Sequence, residues 1–124
     1  VKIQIKNMPK VLRSFIALSI LTSCGPSISI EGFDKDVWQS APVCSEERIA
    51  LAMLVEANET DLLSATQPQI EALLGPAPRH ELFNRNEKFF YYPIEKDCQG
   101  SQDRSLFFRF DALGRAKEVI IIFD

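Results

Sequence analysis

Three patterns of apolar positions succeed one another along the chain. The first is a short block, Phe15-Ile16-Ala17-Leu18-Ser19-Ile20-Leu21, with no polar face. The second is helical. From Ser45 the apolar residues Ile49, Ala52, Met53 and Val55 fall on one stripe, and Ile70, Leu73 and Leu74 repeat that spacing further on. The third begins after residue 78, where short aromatic and β-branched runs alternate with polar turns. Ser45 is a good N-cap, Glu46 and Glu47 suit the positive end of a helix dipole, and the stripe runs out near Ala57-Asn58. Leu62-Leu63 reads as a short apolar link. Thr66 with Gln69 forms a capping box, Pro68 fits a first turn, and Gly75 with Pro76 and Pro78 stops the second helix.

The strand runs expected are His80–Phe83, Lys88–Tyr92 ended by Pro93, Ser105–Phe110 and Ala116–Phe123. A polar turn at 84–87, a polar loop from Glu95 to Arg104 and the turn Asp111–Arg115 separate them. Two helices followed by three or four antiparallel strands predict an α+β domain, with both helices packed on one face of a meander. No internal repeat is visible.

The first apolar block changes the reading of everything before residue 24. It is too short to cross a hydrocarbon core of about 30 Å, but it suits the core of a signal peptide. Lys10 and Arg13 precede it, and Leu21-Thr22-Ser23-Cys24 follows it. That last string resembles the bacterial lipobox, in which the cysteine takes a diacylglyceryl group before cleavage. The expected organisation is a lipoprotein signal peptide at 1–23, a tether at 24–41 and a domain at 42–124. Cys24 is the expected palmitate-type lipidation site. Met8-Pro9-Lys10 also makes a compact start, so Val1–Asn7 reads as an extension upstream of the true first codon. Gly25, where Asp would retain an enterobacterial lipoprotein in the inner membrane, implies the outer membrane. Phe33, Val37 and Trp38 are expected to dock on the domain, whereas Asp34-Lys35-Asp36 reads as solvated tether.

Charge and cysteine content follow from that division. The 124 residues carry a net charge of −3. Residues 1–23 hold four bases and no acid, which leaves ten bases against 17 acids, a net −7, for the remainder. So acidic a chain without a basic patch is a poor nucleic-acid binder. It is also repelled by anionic lipid, so membrane attachment has to be covalent or apolar. Of three cysteines, lipidation uses one and leaves the pair Cys44 and Cys98. These form either a disulfide, which export permits, or two free thiols. A bridge would close a loop of about 55 residues. With His80 the lone histidine and no ligand at metal spacing, neither metal nor cofactor is expected.

From Thr66 to Pro78 the residues support a more specific comparison. The string Thr66-Gln67-Pro68-Gln69-Ile70-Glu71-Ala72-Leu73-Leu74-Gly75-Pro76 resembles the helix signature of the SmpA/OmlA (BamE-like) family of small outer-membrane lipoproteins. Phe90-Tyr91-Tyr92 is similar to that family's aromatic strand, and Leu106–Arg115 to its closing hairpin. The likeness covers roughly residues 60–124 and the lipobox. The long helix Ser45–Asn58 and the Cys44/Cys98 pair depart from the family pattern. The resemblance implies a non-catalytic scaffold or assembly module of the envelope, with envelope assembly proteins as partners. The alternative is an inhibitor or ligand-binding module, because modules of secreted β-lactamase-inhibitory proteins resemble the same fold.

No catalytic constellation surrounds His80, and the Glu46-Glu47 pair reads as dipole-stabilising, so an enzyme is not expected. The aromatics are the remaining candidates. Phe90 and Tyr92 share one strand parity, Phe89 and Tyr91 the other, so one pair belongs to the core and the other to an open face that could hold a partner. All four are candidate partner-surface residues, and either parity could be the exposed one.

Overall fold

The computed structural model describes residues 27–124, so the expected signal peptide, the expected lipobox and Cys24 lie outside the described residues. The domain is α+β, with four helices preceding a four-stranded antiparallel sheet. The helices are α1 (Lys35–Ser40), α2 (Glu46–Ala57), α3 (Glu59–Leu62) and α4 (Gln67–Leu74). The strands β1 (Arg79–Leu82), β2 (Lys88–Glu95), β3 (Arg104–Phe110) and β4 (Ala116–Phe123) form a meander in chain order.

Both predicted helices begin where their caps put them. The Ser45 side chain accepts from the Arg48 amide, and Thr66 and Gln69 satisfy each other's amides in a complete capping box. Gly75 closes α4 with φ +86°, a conformation that costs glycine little. Two aromatic side chains then serve the orphan carbonyls at that end. Trp38 Nε1 donates to the Leu74 carbonyl at 2.9 Å and Tyr92 Oη to that of Gly75 at 2.8 Å.

The core lies between the helical layer and one face of the sheet, where Val55, Leu62, Ile70, Phe90, Tyr92, Leu106 and Phe108 are buried. Several residues differ from expectation. Leu62 ends a helical turn and is fully enclosed, while Leu63 is exposed. Met53 is exposed, because the buried stripe of α2 is Arg48, Ala52 and Val55. Residues 28–41, read as part of a tether, carry α1 with Asp34 as its N-cap. They bury Ile30 and Trp38 and pack Ile28 and Phe33 against the core, while Val37 stays exposed.

Pro93 does not end β2, which continues to Glu95 through a register shift. The register explains this. Odd-numbered amides of β2 point toward β1, and β1 has already ended opposite Tyr91, so the amide that Pro93 lacks would have met no strand. The Pro93 carbonyl instead accepts from Arg48 Nε at 3.1 Å.

Cys44 and Cys98 form a disulfide with Cα atoms 5.9 Å apart. It ties the start of α2 to the loop after β2, beside a hydrogen bond from the Cys44 amide to the Ile94 carbonyl.

Candidate interaction surface

Strand alternation sends Phe90, Tyr92, Leu106 and Phe108 to the helices and Phe89, Tyr91, Phe107 and Ile120 to the opposite face. Phe90 and Tyr92 are therefore core residues, 3% and 1% exposed, and leave the set of surface candidates. Burial first, and then the Glu71 carboxylate, push the Tyr92 phenol well above its usual range. It stays a neutral donor to Gly75.

On the open face the rings form a connected stripe. Phe83 stacks on Phe89 at 5.3 Å between centroids, Phe89 meets Phe107 at 5.2 Å, and Phe107 meets Tyr91 at 5.3 Å. Ile120 of β4 lies opposite Phe107 of β3. Phe83 is 55% exposed and Ile120 39%, whereas Phe89 and Phe107 are half-buried, so the rings cover one another and, among the described residues, no second layer covers them.

Charged arches flank the stripe. Arg79 lies over the Tyr91 ring at 3.7 Å and pairs with Glu81 at 3.1 Å and Asp124 at 3.7 Å. That arch, and not burial in the core, explains why Tyr91 is only 8% exposed. Burial first, then the Glu81 carboxylate, raise the Tyr91 phenol, against the opposing guanidinium of Arg79. On the other flank Arg109 pairs with Glu87 at 2.9 Å and Glu118 at 3.5 Å. Pairs this exposed contribute about 0–1 kcal/mol each, so they orient the rim more than they hold the fold. An apolar centre inside a polar rim is the anatomy of a protein-binding patch.

A cleft of about 340 Å³ adjoins the Arg79 arch, lined in part by Pro93, Glu95, Lys96, Asp103 and Ser105. Three of its polar side chains already have protein partners. Glu95 pairs with Arg104, Ser105 donates to Asp124 at 2.7 Å, and Asp103 accepts from the Asp97 amide at 3.0 Å. Among the described residues no group of His, Cys, Asp and Glu could hold a metal ion. His80 lies exposed on β1, edge-on to Phe90. Compared with family models, curated proteins and solved structures, the chain matches none.

Two features had weaker signals in the sequence. Arg48 sits in the α2 stripe at the i, i+4, i+7 spacing of Ala52 and Val55. Its guanidinium stacks on Trp38 at 3.7 Å and donates to the Trp38 carbonyl at 2.9 Å. Burial lowers its pKa from the usual value. A lone charge inside an apolar stripe was the available sign. Glu56 and Glu59 cap outward amides of β4, Ile121 at 2.7 Å and Val119 at 3.0 Å, which no local pattern announces.

Proposed function

We propose that the chain is a lipid-anchored lipoprotein of the cell envelope that works as a non-catalytic scaffold or assembly module, binding another protein through the open face of its sheet. The observation that carries this reading is the stripe Phe83, Phe89, Phe107 and Ile120, facing away from the core between two charged arches. Apolar rings grouped on one free face are a recurring mark of protein contact. Membrane attachment rests on Leu21-Thr22-Ser23-Cys24 and its signal-peptide setting. The outer membrane is the proposed location and envelope assembly proteins the proposed partner class, both on the lipobox context and the SmpA/OmlA resemblance.

Two measurements test it. Cys24→Ala should abolish labelling by a fatty-acid analogue, and unchanged labelling would remove the lipid anchor from the proposal. A photo-crosslinking residue at Phe107, in the full chain in living cells, should capture an envelope assembly protein. Capture of a soluble enzyme instead would favour the inhibitor reading, and no capture would place the binding surface elsewhere.

A further inference from the structure

The two edges of the sheet are finished differently. β4 is capped at the outward amides of Ala116, Val119 and Ile121. The Ala116 amide donates to the Ala65 carbonyl and the Ala116 carbonyl accepts from Ser64, both at 2.8 Å. Beyond them, Glu59 and Glu56 take the outward amides of Val119 and Ile121. An added strand would have to displace two carboxylates and a loop. At the opposite edge every residue of β1 is exposed. The Phe83 amide donates to the Glu87 carbonyl at 2.7 Å. In an antiparallel ladder the amides alternate in direction, so those of Glu81 and Arg79 also face β2 while those of Leu82 and His80 face outward. Among the described residues no hydrogen bond reaches the outward pair. An uncovered edge beside a closed one is a template for strand addition.

The side chains say which strand fits. Pairing of β1 with a second β1 about a two-fold axis through His80 sets Arg79 opposite Glu81 of the other copy, and Glu81 opposite its Arg79. Both pairs lie on the open face, because antiparallel partners share a face. They fall at the non-hydrogen-bonded positions, where Cα atoms approach to about 4.5 Å. The two His80 residues then exchange outward amide and carbonyl bonds, and the Leu82 amide meets the Pro78 carbonyl of the other copy. Pro78, which has no amide, limits the ladder to a few residues. Shifting the register by two residues, to centre on Glu81, sets the two Glu81 carboxylates against each other, which is unfavourable.

We infer that β1 is a homodimerisation edge, at which two copies of this chain pair antiparallel through His80 to make one eight-stranded sheet. The aromatic stripes of both copies then lie on the same side of that sheet. The pairing is short, and so weak in dilute solution. Confinement on a shared surface would raise its effective concentration.

Cysteine crosslinking in cells making the full chain tests the register. At a hydrogen-bonded antiparallel pair the Cα atoms stand about 5.5 Å apart, within disulfide range. His80→Cys should therefore give a disulfide-linked dimer on mild oxidation, in whichever cell fraction holds the chain, so a failed lipid anchor does not confuse the result. Leu82→Cys is the control. Its own copy would lie about 13 Å away along the strands, so it should give at least about tenfold less dimer. Arg79→Glu added to His80→Cys should lower the yield, and the double exchange Arg79→Glu with Glu81→Arg should restore it. Equal yields from His80→Cys and Leu82→Cys would overturn the inference. So would failure of the double exchange to restore the yield, or an adduct of His80→Cys with a different protein in place of a dimer.

Discussion

Trp38, Arg48 and Tyr92 show how single residues join the helical layer to the sheet. Trp38 donates to α4, Arg48 clasps Trp38 and the Pro93 carbonyl, and Tyr92 returns to Gly75. Each is a polar group whose burial would be costly without its partner. At neighbouring positions of β2 the same residue type has opposite roles. Phe90→Ala should cost roughly 3–5 kcal/mol in urea unfolding, the range for a buried phenylalanine. Phe89→Ala should leave stability nearly unchanged and weaken partner binding by about 1 kcal/mol or more. Equal losses of stability in both variants would mean that the open face is core. Asp111 supplies a pH test. The Arg115 amide chiefly holds its carboxyl below the usual carboxylate range, against an opposing effect of desolvation, and the Leu113 amide and Lys117 add to it. Its folded pKa lies below the unfolded one. Its stabilisation is therefore present above the unfolded value and disappears as pH falls through the folded value. Unfolding midpoints from about pH 5 to about pH 2 should fall less in Asp111→Asn than in the parent chain. Parallel pH curves would count against this role.

At the scale of elements, the disulfide and the caps hold what short helices alone would not. An isolated helix of twelve residues such as α2 is marginal in water, so its start needs anchoring. Cys44–Cys98 fixes that start to the loop following β2. Full reduction, or Cys44→Ser with Cys98→Ser, should cost up to about 4 kcal/mol through the freed loop of the unfolded chain. Non-reducing peptide mapping alongside denaturant melts would measure both pairing and cost, and free thiols at both positions in the native protein would contradict the bridge. The carboxylates of Glu56 and Glu59 belong to the same scale, since helix side chains here close a strand edge.

At the scale of the whole molecule, the position of the first described residues bears on how a lipid anchor would hold the domain. Ile28 packs against the core and shares a cleft with Ala72 and Leu73 of α4, and four extended residues from Cys24 reach at most about 14 Å. A lipid on Cys24 would thus set the helical layer toward the bilayer and leave the open sheet face directed away from it. A fluorophore at Glu31 should be quenched more strongly by lipid-borne quenchers than one at Ile120. Equal quenching at both sites would refute that stance. Among the described residues no helix is long and apolar enough to cross a membrane.

What the sequence by itself determined is local in origin. The capping box at Thr66, the Gly75 stop, the Ser45 cap and the strand alternation after residue 78 are set by residues within a turn or two of each other, and each lies where expected except the end of β2, which runs past Pro93. The α+β class followed from their order. The Cys44–Cys98 pair was legible as a possibility, because the choice between bridge and thiols depended on whether two distant segments meet. Which aromatic parity faces solvent was undecided, because alternation specifies two faces without saying which one the helices cover. Only the tertiary structure decided that Phe89 and Phe107 are on the free side, that Arg79 roofs Tyr91, and that Pro93 can sit within β2 because β1 stops short of it. The closed edge at β4 and the open edge at β1 are equally non-local. The closed edge arises from carboxylates some 60 residues away in sequence, reaching Val119 and Ile121 after the helices have packed, and nothing comparable reaches β1 among the described residues.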